Sequence, residues 1–169
     1  MEIDDSKLVI LLKTFNKQEF ERFEKFINSP FFNTSEQLIS LFNLLKKDHP
    51  DYINLSKEQI FSYIYPKEKY KDKKVRDLLS RMLELAQVFL SQLEFDKKVN
   101  TGNHYVMRQL IERKLERHFK SRYKEAEKKH NEEPVIDEEY LLSEYFLTKL
   151  NREQINTFKN VNYEVEFSN

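Results

Sequence analysis

Histidine and carboxylate side chains are the groups in this sequence that could bind a metal ion or move protons. The four histidines, His49, His104, His118 and His130, include no His-x-x-x-His pair, and the chain has no cysteine. Because metal sites need ligands that converge, we expect no bound metal and no other cofactor. His118 lies within an apolar stripe, which indicates a partly buried histidine at the edge of the core.

A run of acidic residues surrounds one predicted helix start: Glu132, Glu133, Asp137, Glu138 and Glu139. Carboxylates near a helix N-terminus are stabilised by the helix macrodipole, so the run indicates a solvated capping cluster rather than an acid–base pair. With a single glycine, Gly102, the chain offers neither a phosphate-binding loop nor a Gly-x-Ser-x-Gly nucleophile. We therefore expect a protein that is not an enzyme.

A basic connection is the best candidate for binding a partner. Its candidate residues are Lys67, Lys69, Tyr70, Lys71, Lys73, Lys74 and Arg76, with Tyr63 and Tyr65 just before them. Lysines interleaved with tyrosines can contact phosphates and bases. Three interpretations stay open: a solvated loop, which we rank first, a surface for an acidic protein, and a nucleic-acid site.

The elements that must carry these residues are predicted to be helices. One glycine among 169 residues leaves little room for tight hairpins, which favours an all-α protein. The absence of cysteine suits a reducing cytoplasm. The acidic N-terminus is unlike a signal peptide, and no apolar run approaches the roughly 20 residues of a membrane span, so we expect a cytoplasmic protein without membrane contact.

A long helix from Asp72 to Phe95 is predicted to organise the chain. Its apolar residues recur every three or four positions and cover a face wider than that of an ordinary surface helix. They are Val75, Leu78, Leu79, Met82, Leu83, Leu85, Ala86, Val88, Phe89, Leu90 and Leu93. We expect other elements to cover this helix on most sides.

Four shorter helices are predicted before it from their capping residues. Ser6, the Asn16–Glu19 capping box, Thr34–Gln37 and Ser56–Gln59 each have the side chains that bind free amides at a helix start. Phe31 and Phe32 lie in the connection after Pro30. We expect them to plug the core, and a partner-binding patch is the alternative.

The Asn100–Asn103 segment is predicted to break the chain, with Gly102 as a helix C-cap. This gives an N-terminal bundle, residues 1–100, and a repeat-like helical hairpin, residues 103–169. The alternative is that the two are continuous as one domain. Met107, Leu110, Ile111, Leu115, His118, Phe119, Tyr123 and Ala126 trace the first arm of that hairpin. The second arm begins at Asp137.

The last residues fit two periodicities. Val161, Tyr163, Val165 and Phe167 alternate with polar residues as in a strand, whereas Phe158, Val161 and Val165 also fit a continuing helix. A strand edge would dock on the chain's own helices or pair two copies into a homodimer through residues 162–169. We interpret the chain as a fragment of a longer protein.

Several segments resemble an uncharacterised helical family associated with Bacteroidota. They are Leu12–Phe15, Glu19–Phe26, Lys74–Leu93, the helix from Met107, and Ser29-Pro30-Phe31-Phe32-Asn33, which is the most specific. The resemblance implies longer proteins with repeat-like helical continuations. It implies no known reaction and assigns no functional residues.

These features predict an all-α protein with an N-terminal multi-helix bundle around one long central helix, followed by a solenoid-like antiparallel helical hairpin. The predicted function is a non-catalytic protein-interaction or scaffold module, the N-terminal part of a longer helical protein, with another protein as partner. The alternative is a nucleic-acid-binding domain that uses Lys67–Arg76.

Overall fold

A computed structural model describes residues 3–52, 55–132 and 135–166, with the side chains of 99–101 and 159–166 left out. The helices are α1 Lys7–Leu12, α2 Lys17–Ile27, α3 Glu36–Lys47, α4 Lys57–Ile64, α5 Asp72–Lys97, α6 Val99–Glu112, α7 Glu116–Glu132 and α8 Glu138–Glu166. The all-α prediction is confirmed. No helix in the described ranges is long and apolar enough to cross a membrane. The chain divides into an N-terminal unit, Met1–Gln92, and a C-terminal unit, Leu93–Asn169.

Side-chain caps start most helices of the N-terminal unit, as predicted. The Ser6 hydroxyl accepts from the Val9 amide, and capping boxes start α2 at Asn16 and α4 at Ser56. At α3 the prediction is wrong, because Ser35 makes no side-chain cap. The amide of Ser35 instead donates to the Asn33 side chain at 3.0 Å, so the connection itself fixes the entry to α3.

Phenylalanine rings form the centre of the N-terminal unit. The Phe23 ring lies 5.5 Å from that of Phe15, 5.7 Å from that of Phe42 and 5.2 Å from that of Phe89. Edge-to-face and tilted contacts of this kind add stability beyond the burial of apolar area. Phe89 belongs to α5, so this helix closes the cluster built by the helices before it.

The predicted length of α5 is confirmed, but the prediction that other elements cover most of its sides is wrong. The buried residues are Val75, Leu78, Leu79, Met82, Ala86, Phe89 and Leu93. They make a single stripe about 100° wide, as on an ordinary amphipathic helix. Leu83, Leu85 and Leu90 are half-buried, and Val88 is 49% exposed. An apolar residue type does not by itself decide burial.

The C-terminal unit packs three helices together, α6, α7 and α8. Its core contains Met107, Ile111, Phe119, Leu147, Leu150 and Phe158. The second arm of the predicted hairpin is α8. The first arm, expected as one long helix, is divided between α6 and α7.

A Schellman motif makes this division. Lys114 adopts φ 58°, its amide donates to the Ile111 carbonyl, and the Leu115 amide donates to the Leu110 carbonyl. This 6→1 and 5→2 pattern satisfies the last carbonyls of α6. Glycine is the usual residue at the left-handed position. Because a lysine occupies this position here, the helix end could not be predicted from the sequence.

The predicted break at Asn100–Asn103 is wrong, because Gly102 lies inside α6 and the interruption falls at Lys98. The strand alternative for the C-terminus is also wrong as far as Glu166, because α8 continues through that residue. The continuing-helix alternative is confirmed there. Residues 167–169 lie outside the described residues.

Candidate functional site

The basic connection joins α4 to α5 and reaches into the first turns of α5. Lys67, Lys69, Tyr70, Lys71, Lys73 and Arg76 are exposed, and Lys74 is half-buried. The structure therefore brings the predicted residues to one short surface segment. Two acidic residues of the same segment, Glu68 and Asp72, decide how much of its positive charge is free.

Glu68 holds Lys74. Both carboxylate oxygens of Glu68 accept from the Lys74 ammonium, at 2.8 and 2.7 Å, and the Lys71 ammonium lies 4.0 Å away. The hydrogen bond from Lys74 lowers the pKa of Glu68. The same ammonium lies 4.5 Å from the centre of the Tyr65 ring, which favours a cation–π contact. Lys74 is thus engaged from two sides.

Asp72 is the second acidic residue that pairs with cations of the connection. It binds the ammonium of Lys57 at 3.0 Å and the guanidinium of Arg76 at 2.8 Å, and its carboxylate accepts from the Tyr70 hydroxyl at 3.2 Å. The hydrogen bond from Lys57 is the main reason that the pKa of Asp72 is lowered. Asp72 also lies in the first turn of α5, where a carboxylate is favoured by the macrodipole.

The tyrosines of the segment are partly used in packing. The rings of Tyr65 and Tyr70 lie 5.2 and 5.4 Å from the ring of Phe61, which is buried. Loss of hydration is the main reason that the pKa of Tyr70 is raised. Tyr63 is exposed, with the Lys47 ammonium 5.6 Å from its ring centre. Packing of Tyr65 and Tyr70 against Phe61 leaves less of their ring surface for stacking with bases.

Three lysines of the connection, Lys67, Lys69 and Lys73, form no ion pair with any described residue. The connection therefore presents about three available cations instead of six. Such a surface can attract phosphates or carboxylates weakly, through charge alone.

Phe31 and Phe32 form a second candidate site, which sequence analysis expected in the core. Phe31 is 87% exposed and Phe32 39% exposed, so the core-plug prediction is wrong for Phe31. Phe32 stacks on Phe26, with ring centres 4.0 Å apart, and Phe31 meets the edge of Phe32 at 4.9 Å. The three rings make a ladder from the core to the surface, and Phe31 is its outermost ring.

The loop that carries Phe31 is held by hydrogen bonds on both sides. The amides of Phe32 and Asn33 donate to the Ser29 carbonyl, both at 3.0 Å. The buried Asn33 side-chain amide donates to the Ile27 carbonyl at 3.0 Å. Pro30 further restricts the backbone before Phe31. The exposed ring therefore projects from an ordered turn.

The histidines are placed differently from the prediction. His118 is exposed, so the prediction of a partly buried residue is wrong. His104 and His130 are buried instead. The His130 ring stacks on Tyr140 at 4.0 Å, and the His104 ring lies 4.9 Å from Phe146. Neither Nδ1 atom has a hydrogen-bond partner among the described residues. Burial, and secondarily the nearby His130, lower the pKa of His104.

The described surroundings of these histidines form neither a metal site nor a small-molecule pocket. Glu127 and His130 have the Glu-x-x-His spacing, but no group of three or more possible metal ligands occurs among the described residues. A cavity of about 40 Å³ beside His104 and Phe146 is far below the roughly 300 Å³ of a small-molecule site.

In the acidic run, the Asp137 carboxylate accepts from the Tyr140 amide at 2.9 Å, so the predicted capping role is confirmed for that residue. Glu133 lies outside the described residues.

A wider depression of about 610 Å³ lies along α7, lined by polar and charged side chains that include Lys124, Glu125 and Lys128.

No protein-family model matches the chain, and neither a curated protein nor a solved structure matches it. The resemblance to a Bacteroidota-associated helical family therefore stays a prediction.

Proposed function

We propose that this protein is a non-catalytic interaction module that binds another protein through Phe31. The observation that carries the proposal is the exposure of this ring, 87%, at the end of an aromatic ladder anchored in the core. Covering an exposed phenyl ring removes apolar area from water, which favours binding to a partner. Aromatic anchors that insert into a partner's pocket commonly dominate binding energy.

The order of the loop supports the same function. Its backbone is already fixed by Ser29 and Asn33, so little conformational entropy is lost when a partner binds. The ring has only two side-chain torsions to restrict. The partner expected from this chemistry is a folded protein with an apolar pocket of about the size of one phenyl ring.

The test compares the tagged wild-type chain with Phe31→Ala and with a matched control, Ile10→Ala. Ile10 is also an exposed apolar residue of the N-terminal unit, at 55%. Each protein is incubated with extract from the source cells, and bound proteins are quantified by mass spectrometry. We expect Phe31→Ala to lose at least one binder about tenfold, corresponding to about 1.4 kcal/mol, and Ile10→Ala to keep it. Equal recovery by all three proteins would contradict the proposal.

Nucleic-acid binding through the basic connection is the second candidate. It is favoured by the exposed ammonium groups of Lys67, Lys69 and Lys73, which pair with no acidic residue in the part of the chain that the structure describes. With three phosphate contacts, the logarithm of the binding constant for duplex DNA should fall against the logarithm of salt with a slope of about −2.7. A salt series that shows no DNA binding even at low ionic strength would remove this candidate.

A further inference from the structure

The outward side of α8 carries exposed apolar residues that the fold does not use. Leu147, Leu150 and Phe158 are buried in the core of the C-terminal unit, whereas Leu141, Leu142 and Tyr145 are exposed, Tyr145 at 59%. On a helix, residues three and four positions apart lie side by side. These three side chains therefore form one continuous apolar patch.

The patch has an acidic residue on one side and a basic residue on the other. Glu138 precedes Tyr145 by seven residues and Arg152 follows it by seven, so the three lie along one side of α8, with Tyr145 about 10 Å from each charge. Glu138 and Arg152 are exposed. Neither forms an ion pair within the part of the chain that the structure describes.

We propose that the outward side of α8 binds the same side of a second copy of this chain, antiparallel about a two-fold axis at Tyr145. In this arrangement Glu138 of each copy faces Arg152 of the other, which makes two equivalent ion pairs. A parallel arrangement would place like charges opposite each other, which is unfavourable. The charge pattern is thus self-complementary in one orientation, and this identifies the occupant as a second copy.

The residues between the two charges also match under the same axis. Tyr145 meets its own symmetry mate, and Leu141 and Leu142 face Lys149 and Thr148 of the second copy. The aliphatic stem of a lysine can cover a leucine while its ammonium stays in water. This surface is separate in sequence from Phe31, and the self-association does not depend on the function proposed above.

The experiment measures the mass of the full chain by sedimentation equilibrium, from micromolar to near-millimolar protein. The variants are Glu138→Arg, Arg152→Glu and the double exchange. Glu139→Arg is the matched control, because it makes the same charge change in the same turn but away from the stripe. Circular dichroism verifies that every variant is folded.

We expect a reversible dimer for wild type and for Glu139→Arg. Each single exchange converts two attractive pairs into two repulsive ones and should raise the dissociation constant about tenfold. The double exchange restores the pairs with reversed polarity and should return the constant to near the wild-type value. A monomer throughout the concentration range would overturn the proposal. So would a dimer that is insensitive to the single exchanges, or one that the double exchange does not restore.

Discussion

The two units of the chain differ in how completely they bury their apolar residues. In the N-terminal unit, phenylalanine rings from α2, α3 and α5 close on one another. Phe31, on an ordered turn, is 87% exposed, more than the other exposed apolar residues of this unit, such as Ile10 and Val88. In the C-terminal unit, three helices share a smaller core and leave large apolar residues exposed along α8 and in the segment before it.

This difference indicates two kinds of surface. A strongly exposed ring on an ordered turn is suited to insertion into a partner's pocket. A helix with an apolar core side and a partly apolar outer side is suited to packing against another helix. We therefore propose partner binding for the first unit and self-association for the second.

The largest expected effect tests the dependence of the N-terminal unit on α5. Met82 is 0% exposed in the middle of this helix, so Met82→Asp buries a charge without a partner. We expect the free energy of unfolding to fall by at least about 3 kcal/mol. Val88→Asp, on the exposed side of the same helix, should cost less than about 1 kcal/mol. Equal urea midpoints for the two variants would mean that α5 is not the centre of this unit.

A second prediction concerns acid stability of the C-terminal unit. Because the pKa of His104 is lowered on folding, the unfolded chain binds more protons than the folded chain as the pH falls through about 6.5. The free energy of unfolding should therefore decrease from neutral to acidic pH.

Thermal unfolding of wild type and His104→Gln at several pH values checks this. The variant should lose part of the acid sensitivity, whereas exposed His118→Gln should keep all of it. His49, whose pKa is also lowered by burial, should contribute acid sensitivity to the unfolding of the N-terminal unit. Identical pH profiles for wild type and His104→Gln would show that this imidazole does not couple folding to protonation.

The smallest effects come from exchanging glycine between two positions of the C-terminal unit. Lys114 has a left-handed backbone, so Lys114→Gly should stabilise by about 1 kcal/mol. Gly102 is helical, and a methyl group there would meet the Phe95 ring at an ordinary 3.7 Å. Gly102→Ala should therefore stabilise by about 0.4–1 kcal/mol. A lower melting temperature for either variant would contradict the backbone assignment at that site.

Helix starts could be predicted from the sequence because capping chemistry is local. Asn16 with Glu19 and Ser56 with Gln59 specify their helix starts by side chains only three residues apart. The helix end at Lys114 could not be found in this way, since no glycine occupies its left-handed position. The only glycine, Gly102, pointed to the wrong place.

The candidate sites were harder to predict because exposure is set by tertiary packing. The same residue type is buried at Phe23 and exposed at Phe31. The connection after Pro30 could be predicted from the sequence, but the exposure of its outer ring could not. The basic connection could be predicted from the sequence, but the partial neutralisation of its positive charge could not. Lys57 lies 15 residues from Asp72 along the chain, and their ion pair requires the fold.

The most direct test of the central claim places a photoreactive phenylalanine analogue at position 31 and, in a separate protein, at position 69. Both positions are exposed in the N-terminal unit, so each analogue can reach a bound molecule without disturbing the core. After irradiation in the source cells, the account predicts discrete protein cross-links from position 31 and none of these from position 69. Cross-links to protein or nucleic acid from position 69, with none from position 31, would contradict it.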